Sequence, residues 1–234
     1  MQVFYSFKIS GDTAAFDPEE SQHGIKVLRL RKGGKISFTD GAGNMYEGMI
    51  TSDDFRKMEA SIISVTRGYG KREYSLHMAV SPLKNHDRFE WFIEKAVEMG
   101  IDEITPLICD RTEKQTVKSE RLRKLIVSAM KQSVKSYLPC LHEAVPFNSF
   151  VASPLTGIKI IAHCSGIFQR DPINSIIEQG KNIIILVGPE GDFTEAEIGN
   201  AINHGFRSVS LGESRLRTET AGIVACCSSY LANI

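Results

Sequence analysis

The chain has 234 residues, with 28 Lys plus Arg balanced by 28 Asp plus Glu. Its composition is that of a soluble globular protein with room for two domains. The longest purely aliphatic run, Ile183 to Val187, is too short to cross a bilayer, and MQVFYSFKISGD lacks the basic-then-apolar pattern of a secretion signal.

The five cysteines (Cys109, Cys140, Cys164, Cys226, Cys227) are scattered without CxxC spacing. This argues against a disulfide framework or a zinc site and for a cytoplasmic, metal-free protein, with each cysteine a small buried apolar residue. Zero net charge decides nothing about nucleic acid. Its distribution is more informative: residues 111–135 carry eight Lys and Arg against two Glu. Such a stripe can track a phosphate backbone or be a solvated helix face.

From the N-terminus, VFYSFKI alternates like a strand and HGIKVLRL is mixed. Two strand-like runs flank Asp40-Gly41-Ala42-Gly43-Asn44, a hairpin signal, and SIISVTRG adds another strand. Short strands with Gly-rich turns predict a small barrel over residues 1–72. The texture changes near Arg67 to Arg72. YSLHMAVSP predicts a strand, DRFEWFIEKAVEMG a helix stopped by Gly100, and IDEITPLICD a strand. SERLRKLIVSAMKQSV reads as an amphipathic helix with Ser119 as cap; the lone Trp91 is assigned to a core helix face. GIKIIAHC, KNIIILVG and FRSVSLG predict strands. They alternate with helices over DPINSIIEQG, TEAEIGNAINHG and TETAGIVACCSSYLANI. Strict alternation over 73–234 predicts an α/β domain with a parallel sheet.

Chemistry concentrates in three strand-following loops. LVGPEGDFTEAEI (186–198) joins a strand to a helix opened by a Thr194/Glu197 capping box. It lacks the lysine of a phosphate loop and the GxGxxG fingerprint, and Glu190 and Asp192 would repel polyphosphate. It suits a neutral or cationic ligand held by backbone groups, such as an adenosine bearing a sulfonium. LGESRLRTETAG (211–222) places Arg215 and Arg217 beside Glu213 and Glu219, ahead of a helix that Thr218 or Thr220 can cap. AHCSGIFQRD (162–171) is the third. Three loops at one sheet edge describe a site.

LVGPEGDFTEAEI and LGESRLRTETA, preceded by DRFEWFIEKAVEMGIDEITPL, resemble the ribosomal RNA small subunit methyltransferase E family, a branch of the SPOUT methyltransferases. The resemblance covers nearly the whole chain. QHGIKVLRLRKGGKISFTDGAGNMYEGMI is similar to that family's N-terminal PUA-like β-barrel, and MKQSVKSYLPCL to its helix that ends before a proline. The resemblance implies a deep trefoil knot in the SPOUT domain, bound S-adenosyl-L-methionine and a homodimer. It further implies methylation at N3 of a uridine in the decoding region of 16S rRNA, on the small ribosomal subunit. The family usually carries a second glycine where Asp192 stands. Many members have glutamate and arginine at the positions of Lys131 and Lys135.

Under this reading the cofactor is expected among Ala162, His163, Leu186, Val187, Gly188, Pro189, Glu190 and Gly191, and among Leu211, Gly212, Leu216, Arg217 and Thr218. Arg217 is the candidate to stabilise negative charge on the uridine, or to anchor it. Glu190 and Glu219 are candidate bases, with His163 a third. Lys26, Arg29, Arg31, Lys32, Arg111, Arg121 and Lys135 are candidate RNA contacts. Other readings stay open: a small-molecule nucleotide enzyme, a non-catalytic RNA-binding ribosome assembly factor, and a SPOUT enzyme acting on tRNA.

Overall fold

The computed structural model describes residues 2–234. They form two units, one of residues 2–71 with 127–138 and one of 72–126 with 139–234. No described helix is long and apolar enough to cross a membrane.

The first unit begins with β1 (Val3–Tyr5), β2 (Lys8–Ser10) and β3 (Thr13–Ala15). VFYSFKI is therefore two short strands, broken at Ser6. Ser6 donates its amide to Thr39 O (2.9 Å) and its hydroxyl to Ala15 O (2.9 Å). Helix α1 (Pro18–Gln22) continues into a π turn, His23–Val27. The mixed pattern around HGIKVLRL hid it, although Asp17 as cap, with Pro18 at the first helical position, is a start signal. Next come β4 (Lys35–Thr39), β5 (Asn44–Ser52) and β6 (Glu59–Arg67). The sheet runs β1-β4-β5-β6-β3-β2 and curls around Phe16, Phe38, Ile50 and Met58. All its pairings are antiparallel except β1 with β4.

The hairpin turn at 40–44 forms as its sequence predicts, with Asp40 accepting from Ala42 N (2.8 Å) and Tyr46 OH (3.0 Å). Residues 127–138 pack against this turn. Ser136 O accepts from Gly43 N (2.8 Å), and Leu138 N donates to Gly41 O (2.9 Å). Gly43 is required twice over: its φ is +94°, and a Cβ there would lie 2.4 Å from Tyr137 Cζ. Lys131 pairs with buried Glu20, whose other oxygen accepts from Tyr5 N (3.1 Å). The lysine thus matches an acid of its own unit.

In the second unit the elements are β7 (Leu76–Val80), α2 (His86–Met99), β8 (Glu103–Ile108) and α3 (Ser119–Gln132). The last residues of α3 belong to the first unit. Then follow β9 (Cys140–Leu141), β10 (Val145–Pro146), α4 (Phe147–Val151), β11 (Ile158–Ala162) and β12 (Asp171–Pro172). The unit closes with β13 (Ile183–Val187), α5 (Glu195–Asn203), β14 (Arg207–Ser210) and α6 (Thr218–Leu231). The sheet order is β10-β8-β7-β13-β11-β14-β12, with β9 on β8, and every pairing is parallel. All of β13 is buried, as a central parallel strand covered on both faces must be.

Three expectations are corrected. DPINSIIEQG is not a helix: Asp171 and Pro172 pair with Val209 and Ser210, and only a three-residue 3-10 turn, Ile173–Ser175, follows. Sheet pairing there overrides local helical preference. Trp91 is 46% exposed, because α2 turns Phe89, Phe92 and Ile93 inward instead. Only Cys109 and Cys226 are buried; Cys140 and Cys164 are exposed and Cys227 is intermediate.

Helix α6 packs on α2 with Gly222 at the contact, where an added Cβ would fall 2.7 Å from Phe92 Cε2. Phe92 is fully buried and cannot yield. Helix propensity alone would make Gly222→Ala stabilising by about 1 kcal/mol. The expected result is a net destabilisation of about 1–2 kcal/mol from overpacking. Urea unfolding measures it, and the sign should reverse when the same change is made in a Phe92→Ala background.

Candidate active site

Because β13, β11 and β14 are adjacent and parallel, the segments following Val187, Ala162 and Ser210 leave the same sheet edge. They enclose a cavity of about 430 Å³, within the range typical of small-molecule sites. Ala162, His163, Val187, Gly188, Pro189 and Glu190 line it from two of the loops, and Leu211, Gly212, Leu216, Arg217 and Thr218 from the third. Leu186 and Gly191 do not. Leu186 is wholly in the core, and Gly191 faces the Arg111 side chain. Arg88, Cys164, Arg170 and Asp192, which carry no cofactor-contact signal in the sequence, also line the wall, together with Ser214, Arg215, Glu219 and Ala221.

Asp192 adopts φ +61°, in the left-handed region where glycine is at ease and aspartate is among the better-tolerated substitutes. Its carboxylate accepts from Cys164 N (2.7 Å) and from its own neighbour Phe193 N (2.8 Å). The side chain that replaces glycine therefore ties the 188–194 loop to the 163–170 loop. The opposite flank is braced from the end of β8. Arg111 Nη1 donates to Gly191 O (2.7 Å), and Asp110 N donates to Glu197 Oε1 (2.9 Å). The remaining Glu197 oxygen closes the Thr194 capping box (2.8 Å to Thr194 N). So Arg111, read as an RNA contact, has its guanidinium committed to this loop.

The third loop leads into α6 differently from the expectation. Thr218 is the first helical residue, and the cap position is Arg217, which gives no side-chain cap. The first-turn amides of α6 are left without a capping acceptor at the cavity wall. Thr218 and Glu219 are buried, and Glu219 lies 3.7 Å from Arg88 Nε. Arg217 itself is exposed and, among the described residues, makes no ion pair. Glu190 is exposed and accepts from Lys84 N (3.2 Å).

His163 is 5% exposed, and neither ring nitrogen has a hydrogen-bond partner. Burial lowers its pKa below 6.5, against the opposing pull of Asp192 and with a further push from Arg170. A buried, unpartnered imidazole on a cavity wall is a group prepared for a ligand. Of the remaining basic candidates, Lys26, Arg29, Arg31 and Lys32 are exposed on the first unit. Lys26 lies over the Phe55 ring (3.9 Å), Arg121 pairs with Glu90 (2.7 Å), and Lys135 is half-buried.

Residues 71–229 match the family model described as RNA methyltransferase domain. The chain belongs to that family. A ribosomal RNA small subunit methyltransferase E from Mesomycoplasma hyopneumoniae (strain 232) is 30% identical over 172 residues, covering 70% of this chain and 73% of the relative. The crystal structure of a probable rRNA-methyltransferase from Porphyromonas gingivalis superposes with TM-score 0.92 at 33% identity, covering 100% of this chain and 98% of that one. A ribosomal RNA small subunit methyltransferase E from Neisseria gonorrhoeae, bound to S-adenosyl methionine, gives TM-score 0.80 at 27% identity, covering 100% and 98%. The family match spans all three loops, so the GPEG and LRTET segments lie inside the methyltransferase domain.

The state of His163 is open to measurement. Its folded pKa is below the ordinary 6.5, so its neutral form is favoured by folding. Stability should be unaffected above about pH 6.5 and fall as pH drops below it, because the unfolded chain then binds the proton first. Urea midpoints from about pH 7.5 to about pH 5 should fall less steeply in His163→Leu than in the parent chain.

Proposed function

We propose that this chain transfers the methyl group of S-adenosyl-L-methionine to N3 of a uridine in the decoding region of small-subunit rRNA, acting on the assembled subunit. The observation that carries this reading is the cavity at the shared edge of β13, β11 and β14, closed by the uncapped start of α6 and by Arg217. Its family membership and the cofactor reported for the Neisseria relative support the same choice. In the same reading the first unit is a PUA-like barrel that binds RNA, the second is a trefoil-knotted SPOUT domain, and the enzyme is a cytoplasmic homodimer.

The residues present fit the cofactor. The loops offer backbone donors and acceptors at Gly188, Leu211 and Leu216, as an adenosine needs, and the wall carries no phosphate-binding lysine. His163 supplies two unsatisfied ring nitrogens. The cofactor, when bound, supplies an electrophilic methyl on a sulfonium. Everything else falls to the chain. Uridine N3 becomes a competent nucleophile once its proton leaves, and negative charge then spreads to O2 and O4. Arg217, which lines the cavity and makes no ion pair among the described residues, is the group that stabilises that charge in this reading. Glu190 and Glu219 both line the cavity as proton acceptors. Glu190 is the more accessible, since Glu219 is buried beside Arg88. Exposed Lys26, Arg29, Arg31 and Lys32 offer the first unit cationic groups for phosphates, with binding that weakens steeply in salt.

Incubating the protein with labelled S-adenosyl-L-methionine and unmodified small subunits, then analysing the 16S rRNA nucleosides, should place label in 3-methyluridine. Label in tRNA alone would make the tRNA reading the correct one. Cofactor binding with no transfer to any RNA would favour the assembly-factor reading. Arg217→Ala should lower turnover about 100-fold; unchanged turnover would remove Arg217 from the chemistry.

A further inference from the structure

A second constellation lies at the other edge of the parallel sheet. His77 and Glu103 stand opposite each other near the amino ends of β7 and β8. Strand β9 pairs Cys140 with Glu103, which brings His142, one residue beyond β9, to the same place. One potential ligand atom from each of His77, Glu103 and His142 lies within 4.8 Å of the other two. His142 Nε2 is 2.7 Å from Glu103 Oε2, and His77 Nδ1 is 3.9 Å from the same oxygen.

The far side of each imidazole is also engaged. His77 Nε2 bonds Thr105 Oγ1 at 2.7 Å, and His142 Nδ1 meets Cys140 Sγ at 3.9 Å. Phe150 packs edge-on against the His77 ring, 5.4 Å between centroids. Metal-binding histidines are held in this way, with an outer partner on one nitrogen orienting the other toward the ion. The cluster opens on a cavity of about 460 Å³, and the Glu103 and His142 side chains are both about 40% exposed, so an ion can enter.

We propose that His77, Glu103 and His142 bind a divalent transition-metal ion of the zinc class, which staples β7, β8 and the segment after β9 together. Two imidazoles and one carboxylate form a zinc-type donor set, whereas magnesium and calcium favour all-oxygen shells. In a tetrahedral site with bonds of about 2.0–2.1 Å, neighbouring donors stand about 3.3 Å apart. The observed 2.7 and 3.9 Å fall on either side of that spacing, so small side-chain adjustments close the site. Sequence reading found no metal motif because it weighed cysteine spacing, and these three ligands are scattered over 66 positions of chain.

The test is a titration of chelator-treated, tag-free full-length protein with Zn²⁺, followed by calorimetry and thermal unfolding. The expected result is one equivalent bound per chain with a raised melting temperature. His142→Ala and Glu103→Gln should each weaken binding about tenfold or more. Both positions are solvent-accessible, and Glu103→Gln keeps the side chain's shape, so both variants should fold; circular dichroism checks this. The Co²⁺-loaded protein should show the visible absorption of a four-coordinate site. Absence of saturable Zn²⁺ binding would overturn the proposal and leave Glu103 and His142 as a plain hydrogen-bonded pair. So would Zn²⁺ affinity unchanged in both variants, or a preference for Mg²⁺.

Discussion

Parallel strand pairing is the constraint on which the second unit depends. Every ladder in its sheet runs the same way, so each strand must be followed by a return crossing, and all departures lie along one edge. Strand order then decides which departures become neighbours. With β13, β11 and β14 side by side, the segments after Val187, Ala162 and Ser210 meet although the chain visits them far apart. A helix covers only some of these crossings. Between β11 and β13 the chain instead lays Asp171 and Pro172 against β14 and buries Ile173, Ile176 and Ile177.

Irregular loops hold a shape only if their polar groups are used, and those around the cavity are bound by a short chain of contacts. Arg111 reaches the Gly191 carbonyl, Glu197 takes the Asp110 amide, and Asp192 takes the amide of Cys164. The groups that do this bracing are charged, yet their hydrogen bonds go to backbone. A charge count along the sequence therefore overstates the basic surface offered by residues 111–135. Arg111, Arg121, Arg123 and Lys131 all have acidic or carbonyl partners within the chain.

Much of this was legible in the sequence. The Thr194–Glu197 capping box depends on contacts within one helical turn, so its spacing alone revealed it. The 40–44 turn and Gly100, which ends α2 at φ +95°, are equally local. The three-loop site was legible because parallel alternation fixes where loops emerge. Non-local features escaped. That residues 127–138 join the first unit depends on Ser136 and Leu138 bonding a turn some hundred residues earlier. The exposure of Trp91 depends on which neighbours α2 packs against. The brace from Asp192 required both its left-handed backbone and the position of Cys164. Arg88 and Arg170 reach the cavity wall through the fold and carry no motif of their own.

The beginning of α6 has a thermodynamic consequence. A helix whose cap residue offers no side-chain acceptor keeps its first amides dependent on water or on whatever enters the cavity. Each ligand atom that accepts from those amides does the work of an absent Ser or Asp, a substitution ordinarily worth about 1 kcal/mol. Occupancy of the cavity and order in the first turn of α6 are then linked equilibria. Anything that frays the turn weakens the ligand, and the ligand in turn tightens a helix that packs on α2 and on the central strands β7 and β13.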